Sequence, residues 1–201
     1  MGDMSARDEI GTIAEEVRNC RKCHLWETRR NAVSGEGNPE SQVVLIGEAP
    51  GYWEDLKGRP FVGAAGKILD EFLERVNLPR AAIFIANILK CRPPKNRNPR
   101  VAEVKACTPH LDRQLELIRP RFLVTLGRHS SAYVFSKMGL KPKGITDIRG
   151  QIHEADLWGS KVSVLPTFHP AAALYNVRLK DDLERDFELL KSELERQEEL
   201  G

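Results

Sequence analysis

The chain has 201 residues, of which 41% are hydrophobic and 30% are charged, and its formal net charge is +2. This length supports one well-buried core, so a single domain spanning residues 1–201 is expected. No apolar run approaches the roughly 18 residues of a membrane helix and no signal-peptide core is evident, which argues against a membrane or secreted protein and predicts an intracellular, cytoplasmic one.

Charge is distributed unevenly along the chain. Residues 80–100 contain six lysines or arginines and no acid, and residues 119–149 contain seven bases and one acid. Residues 180–200 contain nine acids and four bases. Such runs are often ordinary solvated surface, but the middle of the chain has the charge needed to face a polyanion.

The first predicted element is an amphipathic helix over residues 8–19, because its apolar residues recur at helical spacing. It runs directly into Cys20. The following polar stretch, residues 32–41, is rich in Gly, Asn, Pro and Ser and is predicted to be a loop.

Apolar runs rich in β-branched residues alternate with helical patterns through the rest of the chain. Strands are predicted at residues 43–47, 83–87, 122–127 and 162–166, and helices at residues 66–76, 101–118, 130–135 and 179–194. Residues 149–164 have the pattern of a hairpin that enters the last strand. This alternation predicts an α/β fold with a mostly parallel sheet covered by helices.

Polar residues follow each predicted strand. They lie in the segments GEAPG (47–51), Asn87, GRHSS (127–131) and FHPAAAL (168–174). Ligands of open parallel sheets bind outside the carboxyl ends of the strands. The sequence therefore predicts a polar site at this edge of the sheet.

The four cysteines form a CxxC pair, Cys20 and Cys23, and two single thiols, Cys91 and Cys107. Four thiols are the number that a tetrahedral zinc ion or a 4Fe-4S cluster requires. An intracellular chain argues against disulfides, and the wide second spacing departs from a zinc ribbon. Spacing alone leaves iron-sulfur, zinc and unrelated buried thiols open.

In chain order, the cysteines, GEAPG, FVGAAG, Asn87 and HPAAAL resemble the family 4 uracil-DNA glycosylases. The resemblance runs from Cys20 to about Leu174. It implies a three-layer α/β/α sandwich around a four-stranded parallel sheet, and a structural 4Fe-4S cluster held by Cys20, Cys23, Cys91 and Cys107. It also implies a monofunctional hydrolase that removes uracil and leaves an abasic site in base excision repair, since no Schiff-base lysine is implied.

The resemblance assigns uracil binding to residues of the strand-end segments. These are Gly47, Glu48, Ala49, Phe61, Asn87 and His169. Phe61 offers a face for stacking, and the Asn87 amide can donate to uracil O4 and accept from N3–H, which cytosine cannot satisfy. His169 would donate to O2 as negative charge grows on the departing base. Without the motifs, each of these residues could equally be structural.

The catalytic residues expected are Glu48, Glu54, Asn87 and His169. The best-known uracil glycosylase family has a water-activating aspartate at the position of Ala49, and alanine cannot replace it. Glu54 is expected at the uracil C5 edge, against thymine's methyl, and Glu48 is expected to help hold the water or the pocket. These two roles could be exchanged, and either carboxylate could be simply solvated.

DNA contacts are expected from Arg92, Lys95 and Arg97 in the loop after Asn87, and from Leu174, which could fill the vacated base stack. The histidines other than His169 are expected to be structural or solvated. The expected partner is uracil-containing DNA, single- or double-stranded, bound by a monomer. Family 4 enzymes are often linked to sliding clamps, but no clear clamp-binding peptide is evident.

Two other hypotheses remain open from the sequence. One is a noncatalytic DNA-binding module with the same fold, against which Phe61, Asn87 and His169 argue. The other is a zinc-stabilised nucleotide-binding domain, which would be colourless where a 4Fe-4S protein is brown.

Overall fold

The computed structural model describes residues 5–141 and 144–199. The strands are β1 (Glu36–Gly37), β2 (Val43–Gly47), β3 (Phe84–Asn87), β4 (Phe122–Leu126), β5 (His153–Leu157) and β6 (Ser160–Thr167). The α-helices are α1 (Ala6–Asn19), α2 (Tyr52–Lys57), α3 (Ala64–Arg75), α4 (Val101–Ile118), α5 (Arg128–Lys137), α6 (Ile145–Ile148) and α7 (Val177–Glu199). Short 3₁₀ helices cover His24–Glu27, Arg80–Ala82, Pro94–Asn96 and Pro170–Leu174.

The strands form one six-stranded sheet in the order β1-β3-β2-β4-β6-β5. The four central strands are parallel to one another, and each edge strand is antiparallel to the strand beside it. The predicted four-stranded parallel sheet is therefore confirmed as the centre of a larger mixed sheet. The expected hairpin is the β5–β6 pair, which extends that centre at one edge.

Both faces of the sheet are apolar because the side chains of each strand alternate between them. Val43 and Leu45 of β2 pack with Phe72 of α3 and Phe187 of α7. The intervening Val44 of β2 packs in a second cluster with residues of α4 and α5. Helices thus cover both faces, which confirms the α/β/α layers and explains why the central strands consist of uninterrupted apolar runs.

The helix ends differ modestly from the predicted ones. α1 begins two residues earlier than expected because Ser5 caps it, with the Ser5 hydroxyl accepting from the Asp8 backbone N–H at 3.2 Å. α2, six residues long, was not predicted. In the described ranges, no helix combines the length and apolar character that crossing a membrane requires.

Candidate active site

A cavity of about 390 Å³ opens where β2, β3 and β6 end. Its size is typical of a small-ligand site. It is lined by Glu48, Ala49, Pro50, Gly51, Glu54, Phe61, Ala65, Asn87, Pro93, Asn96, Arg97, His169 and Ala171. The structure therefore brings together the residues expected to bind uracil, apart from Gly47, which lies directly behind two of them.

Gly47 lets Asn87 and Phe61 approach each other. The last residues of β2 and β3, Gly47 and Asn87, are paired across the parallel ladder. A Cβ atom at Gly47 would lie 2.3 Å from Asn87 Oδ1 and 2.7 Å from Phe61 Cζ. Both distances are below any real contact, so only glycine fits while these two side chains keep their positions.

Asn87 is buried, yet its side-chain amide forms no hydrogen bond with any residue that the structure describes. Buried amides are normally bonded, so an amide left free at a cavity wall is available to a ligand. Its oxygen can accept one hydrogen bond and its nitrogen can donate another.

Phe61 has a left-handed backbone, with φ of 51°. The conformation is held from two sides. Its carbonyl accepts from the Arg80 guanidinium, and Gly66 approaches so closely that a Cβ there would lie 1.9 Å from the same oxygen. The ring stacks on His169, with centroids 5.6 Å apart and an interplanar angle of 27°. This strained backbone places an aromatic wall inside the cavity.

His169 stands at the start of the Pro170–Leu174 turn. Its Nδ1 accepts from the Ala171 backbone N–H at 3.2 Å, so the neutral ring carries its proton on Nε2. Burial lowers the pKa of His169 to about 4, and the nearby Glu54 carboxylate opposes this shift. The ring is therefore neutral at pH 7, with an N–H donor left for the cavity.

Glu54 anchors the cavity wall through its carboxylate. Oε1 accepts from the backbone N–H groups of Val62 and Gly63, both at 2.9 Å, and Oε2 accepts from Gly51 at 3.1 Å. These bonds tie α2 to the segment that carries Phe61. The carboxylate is thus a structural brace of the cavity rather than a solvated group.

Glu48 differs from Glu54 because its carboxylate accepts no hydrogen bond within residues 5–141 and 144–199. Burial raises the pKa of Glu48, although nearby His129 and Arg128 oppose the shift. His129 Nε2 lies 3.8 Å from Glu48 Oε2. His129 belongs to the GRHSS segment that the sequence placed at this edge of the sheet, but it was expected to be structural or solvated and was given no role beside Glu48.

The four cysteines come together around a second, much smaller cavity. Cys20, Cys23, Cys91 and Cys107 all line it. Burial raises the pKa of Cys91, and raises that of Cys107 to about 12. Cys91 Sγ accepts from Arg29 Nη1 at 3.0 Å, and Cys107 Sγ accepts from the Lys90 N–H at 3.1 Å. Three segments that are distant in sequence therefore meet through their sulfurs.

The residues expected to contact DNA have different surroundings. Arg97 forms a two-pronged ion pair with the buried Glu103, which also accepts from the Arg100 backbone N–H at 2.8 Å. Lys95 and Leu174, in contrast, are exposed. Arg97 is therefore paired with the start of α4 while it also lines the cavity, whereas the Lys95 side chain forms no hydrogen bond with the described residues.

Comparisons with known proteins agree with this geometry. Residues 34–191 match the model of the uracil DNA glycosylase superfamily. A type-4 uracil-DNA glycosylase from Saccharolobus solfataricus is 50% identical over 188 residues, covering 93% of this chain and 87% of the relative. One from Archaeoglobus fulgidus is 46% identical over 90% of each chain, and one from Thermotoga maritima is 43% identical over 86% of this chain and 88% of the relative.

Proposed function

This chain belongs to the uracil DNA glycosylase superfamily, and on that premise we propose that it flips uracil out of DNA and hydrolyses its N-glycosidic bond. The products are free uracil and an abasic site, the first step in base excision repair of deaminated cytosine. The observation that carries the proposal is the convergence of Phe61, Asn87 and His169 on one cavity at the strand ends.

Phe61 and Asn87 provide selection of the base. The Phe61 ring is fixed by its backbone and offers a face to a flat base, and the free Asn87 amide can read the O4 and N3–H of uracil. Cytosine presents an amino group where uracil has O4, so it would leave the amide nitrogen without an acceptor. Glycine at position 47 is what allows both side chains to reach the same base.

His169 provides the leaving-group stabilisation. As the glycosidic bond breaks, negative charge grows on the base and positive charge on the sugar. A neutral imidazole with its proton on Nε2 can donate to uracil O2 and stabilise the negative charge that grows there. The Ala171 N–H fixes the tautomer, so the donor is oriented before substrate arrives.

Glu48 is the carboxylate that orients the attacking water. It lines the cavity with its oxygens unbonded by the described protein, so they can accept from water and face the positive sugar. Glu54 acts as a positioning residue, since its oxygens are engaged by Gly51, Val62 and Gly63. Because Glu54 also lines the cavity, it can narrow the space next to uracil C5.

The four cysteines are proposed to hold a 4Fe-4S cluster. They line one cavity, but among the described residues no three His, Cys, Asp or Glu side chains are arranged around a single metal ion. Four thiols lining one small cavity match the ligand number of a 4Fe-4S cluster, and the similarity to type-4 uracil-DNA glycosylases supports iron-sulfur over zinc. Cys20, Cys23, Cys91 and Cys107 would ligate it, and when bound it would cross-link the end of α1, the loop after β3 and α4.

The domain and its assembly are part of the same proposal. We infer that residues 1–201 form one glycosylase domain, which a single sheet covered on both faces supports. We further propose that the domain acts on DNA as a monomer. Arg92, Lys95 and Leu174 would contact the DNA around the cavity.

The test is alkaline cleavage of a uracil-containing oligonucleotide by the wild type and by Asn87→Ala and His169→Ala. Asn19→Ala, an exposed residue at the end of α1, is the matched control. Strand breaks at uracil should persist in the control and fall about 10²- to 10³-fold in His169→Ala, the usual effect of removing a transition-state donor. A brown, folded wild type that cuts no uracil strand would refute the proposed activity.

A further inference from the structure

Helix α2 presents two large aromatic side chains to solvent beside the active site. Tyr52 is 44% exposed and Trp53 is 51% exposed. Their rings meet edge to face, with centroids 5.3 Å apart and an interplanar angle of 84°. Exposed aromatic pairs of this size are uncommon on surfaces without a partner.

The pair is held on a rigid base. Asp55, the buried residue of α2, accepts from the Arg30 backbone N–H at 2.9 Å, and Asn31 Nδ2 donates to the Asp55 carbonyl at 2.8 Å. Glu54 ties the same helix to the Phe61 segment, as described above. Bonds on the inner side of the helix thus hold in place the helix that carries the two aromatic side chains on its outer side.

Two cations accompany the aromatic pair. The Arg92 guanidinium lies 5.2 Å from the centre of the Tyr52 ring, and that of Arg30 lies 5.8 Å from it. Arg92 also donates to Asn96 Oδ1 at 2.7 Å, which holds it over the ring. An aromatic face flanked by two guanidinium groups matches a ligand that combines flat bases with phosphates.

The aromatic pair lies on the rim of the uracil cavity. Pro50 and Gly51, immediately before the pair, line the cavity, and so does Pro93, immediately after Arg92. On the other side, a Cβ at Gly63 would lie 3.3 Å from Trp53 Cδ1, so the indole packs against the segment that carries Phe61. A strand whose uracil enters the cavity would bring its neighbouring nucleotides to this rim.

We propose that the exposed Trp53 ring, supported edge to face by Tyr52, forms a stacking platform for unpaired bases next to the flipped uracil, and that Arg30 and Arg92 over Tyr52 hold the adjoining phosphates. The inference rests on the proposed function for the position of the uracil. Stacking on an aromatic side chain requires a base whose face is free, and such faces are available in single-stranded DNA rather than in a stacked duplex. The platform therefore predicts that the protein prefers single-stranded DNA to duplex DNA.

Binding to a uracil-free, fluorescently labelled oligothymidylate tests the platform without relying on catalysis. Trp53→Leu keeps an apolar side chain but removes the ring, whereas Trp53→Phe keeps a ring. We expect Trp53→Leu to weaken binding about 5- to 100-fold, as loss of one base stack does, and Trp53→Phe to stay within about 3-fold of wild type. Equal affinities for wild type and Trp53→Leu, or equal losses in both variants, would overturn the platform.

Uracil excision by the same proteins separates the two proposals. With a single-stranded uracil substrate, Trp53→Leu should raise KM and leave kcat unchanged, while a duplex substrate should show a much smaller change. Equal rises in KM for both substrates would overturn the preference for single strands. Absence of excision by the wild type would refute the glycosylase activity, yet the oligothymidylate binding would still decide the platform. Thermal unfolding of each variant controls for misfolding.

Discussion

The uracil cavity and the cysteine-lined cavity differ in how the protein bonds their polar atoms. In the uracil cavity, the Asn87 amide and the Glu48 carboxylate accept and donate nothing within the described residues. In the cysteine cavity, Cys91 and Cys107 already accept from Arg29 and Lys90. In the first region both groups keep their bonding capacity for a molecule that comes and goes. In the second, the protein already donates to two of the four thiols, although His110 Nε2 at that cavity is buried without a partner among the described residues. Substitutions in the uracil cavity should therefore lower mainly activity, and substitutions in the cysteine cavity should lower mainly stability.

The largest effect on stability is expected in the cysteine region. Cys107→Ser should abolish the brown colour and lower the free energy of unfolding by about 4 kcal/mol, the upper range for losing a metal group. Cys20→Ser, at a half-buried position, is a milder companion that should still lose the colour. For each variant, visible absorption measures the loss of colour and thermal unfolding measures the loss of stability. Retained absorption with unchanged thermal stability would contradict the ligand assignment.

The next largest effect is on activity, through Glu48. Glu48→Gln should lower kcat about 10²-fold, because the amide cannot orient water as a carboxylate does. In the wild type, burial raises the pKa of Glu48, so the active carboxylate is lost at a higher pH than for an ordinary glutamate. His169, with its pKa lowered to about 4, remains neutral throughout that range.

The pH profile of kcat makes this prediction specific. Activity should fall on the acid side above the usual range of a glutamate, and the fall should disappear in Glu48→Gln. An acid limb that survives in the variant would show that another group carries it.

Glu54 lines the uracil cavity, yet its substitution should lower stability, because its carboxylate holds the cavity wall together. Glu54→Gln replaces one acceptor oxygen with a donor and should cost about 1–3 kcal/mol of unfolding free energy by leaving a backbone N–H unpaired. Urea denaturation measures this. Glu71→Gln, which breaks only an exposed ion pair with Lys180, should cost less than about 1 kcal/mol. Equal costs would argue against the bracing role.

The smallest effect distinguishes two neighbouring cations. Lys95→Ala should weaken DNA binding and lower the slope of log affinity against log salt by about 1, because one phosphate contact is lost. Arg97→Ala should leave that slope unchanged and lower stability instead, because Arg97 is paired with Glu103. Titrations of DNA binding at several salt concentrations measure both slopes. A lower slope in Arg97→Ala alone would reverse the assignment.

The sequence by itself determined the central sheet, the layers and the order of the motifs. Buried parallel strands are apolar on both faces, so residues 43–47 and 122–127 could be recognised locally. The carboxyl ends of such strands meet at one edge, and the motifs after them predicted one site there. The family resemblance, confirmed by the relatives, added the roles proposed for individual site residues.

The tertiary structure alone decided which polar groups are free and which are occupied. Strand β1 has two residues and α2 has six, too short to leave a periodic pattern. Glu54 and Arg97 resemble Glu48 and Lys95 in the sequence, yet three backbone amides engage the first and Glu103 engages the second. His129 reaches Glu48 across two strand ends that are 81 residues apart in the chain (129 minus 48). The His129 contact depends on the relative placement of distant segments, which no local sequence pattern encodes. The bonds of Glu54 and Arg97 join residues only three to nine positions apart, but they depend on how the loops between those residues turn.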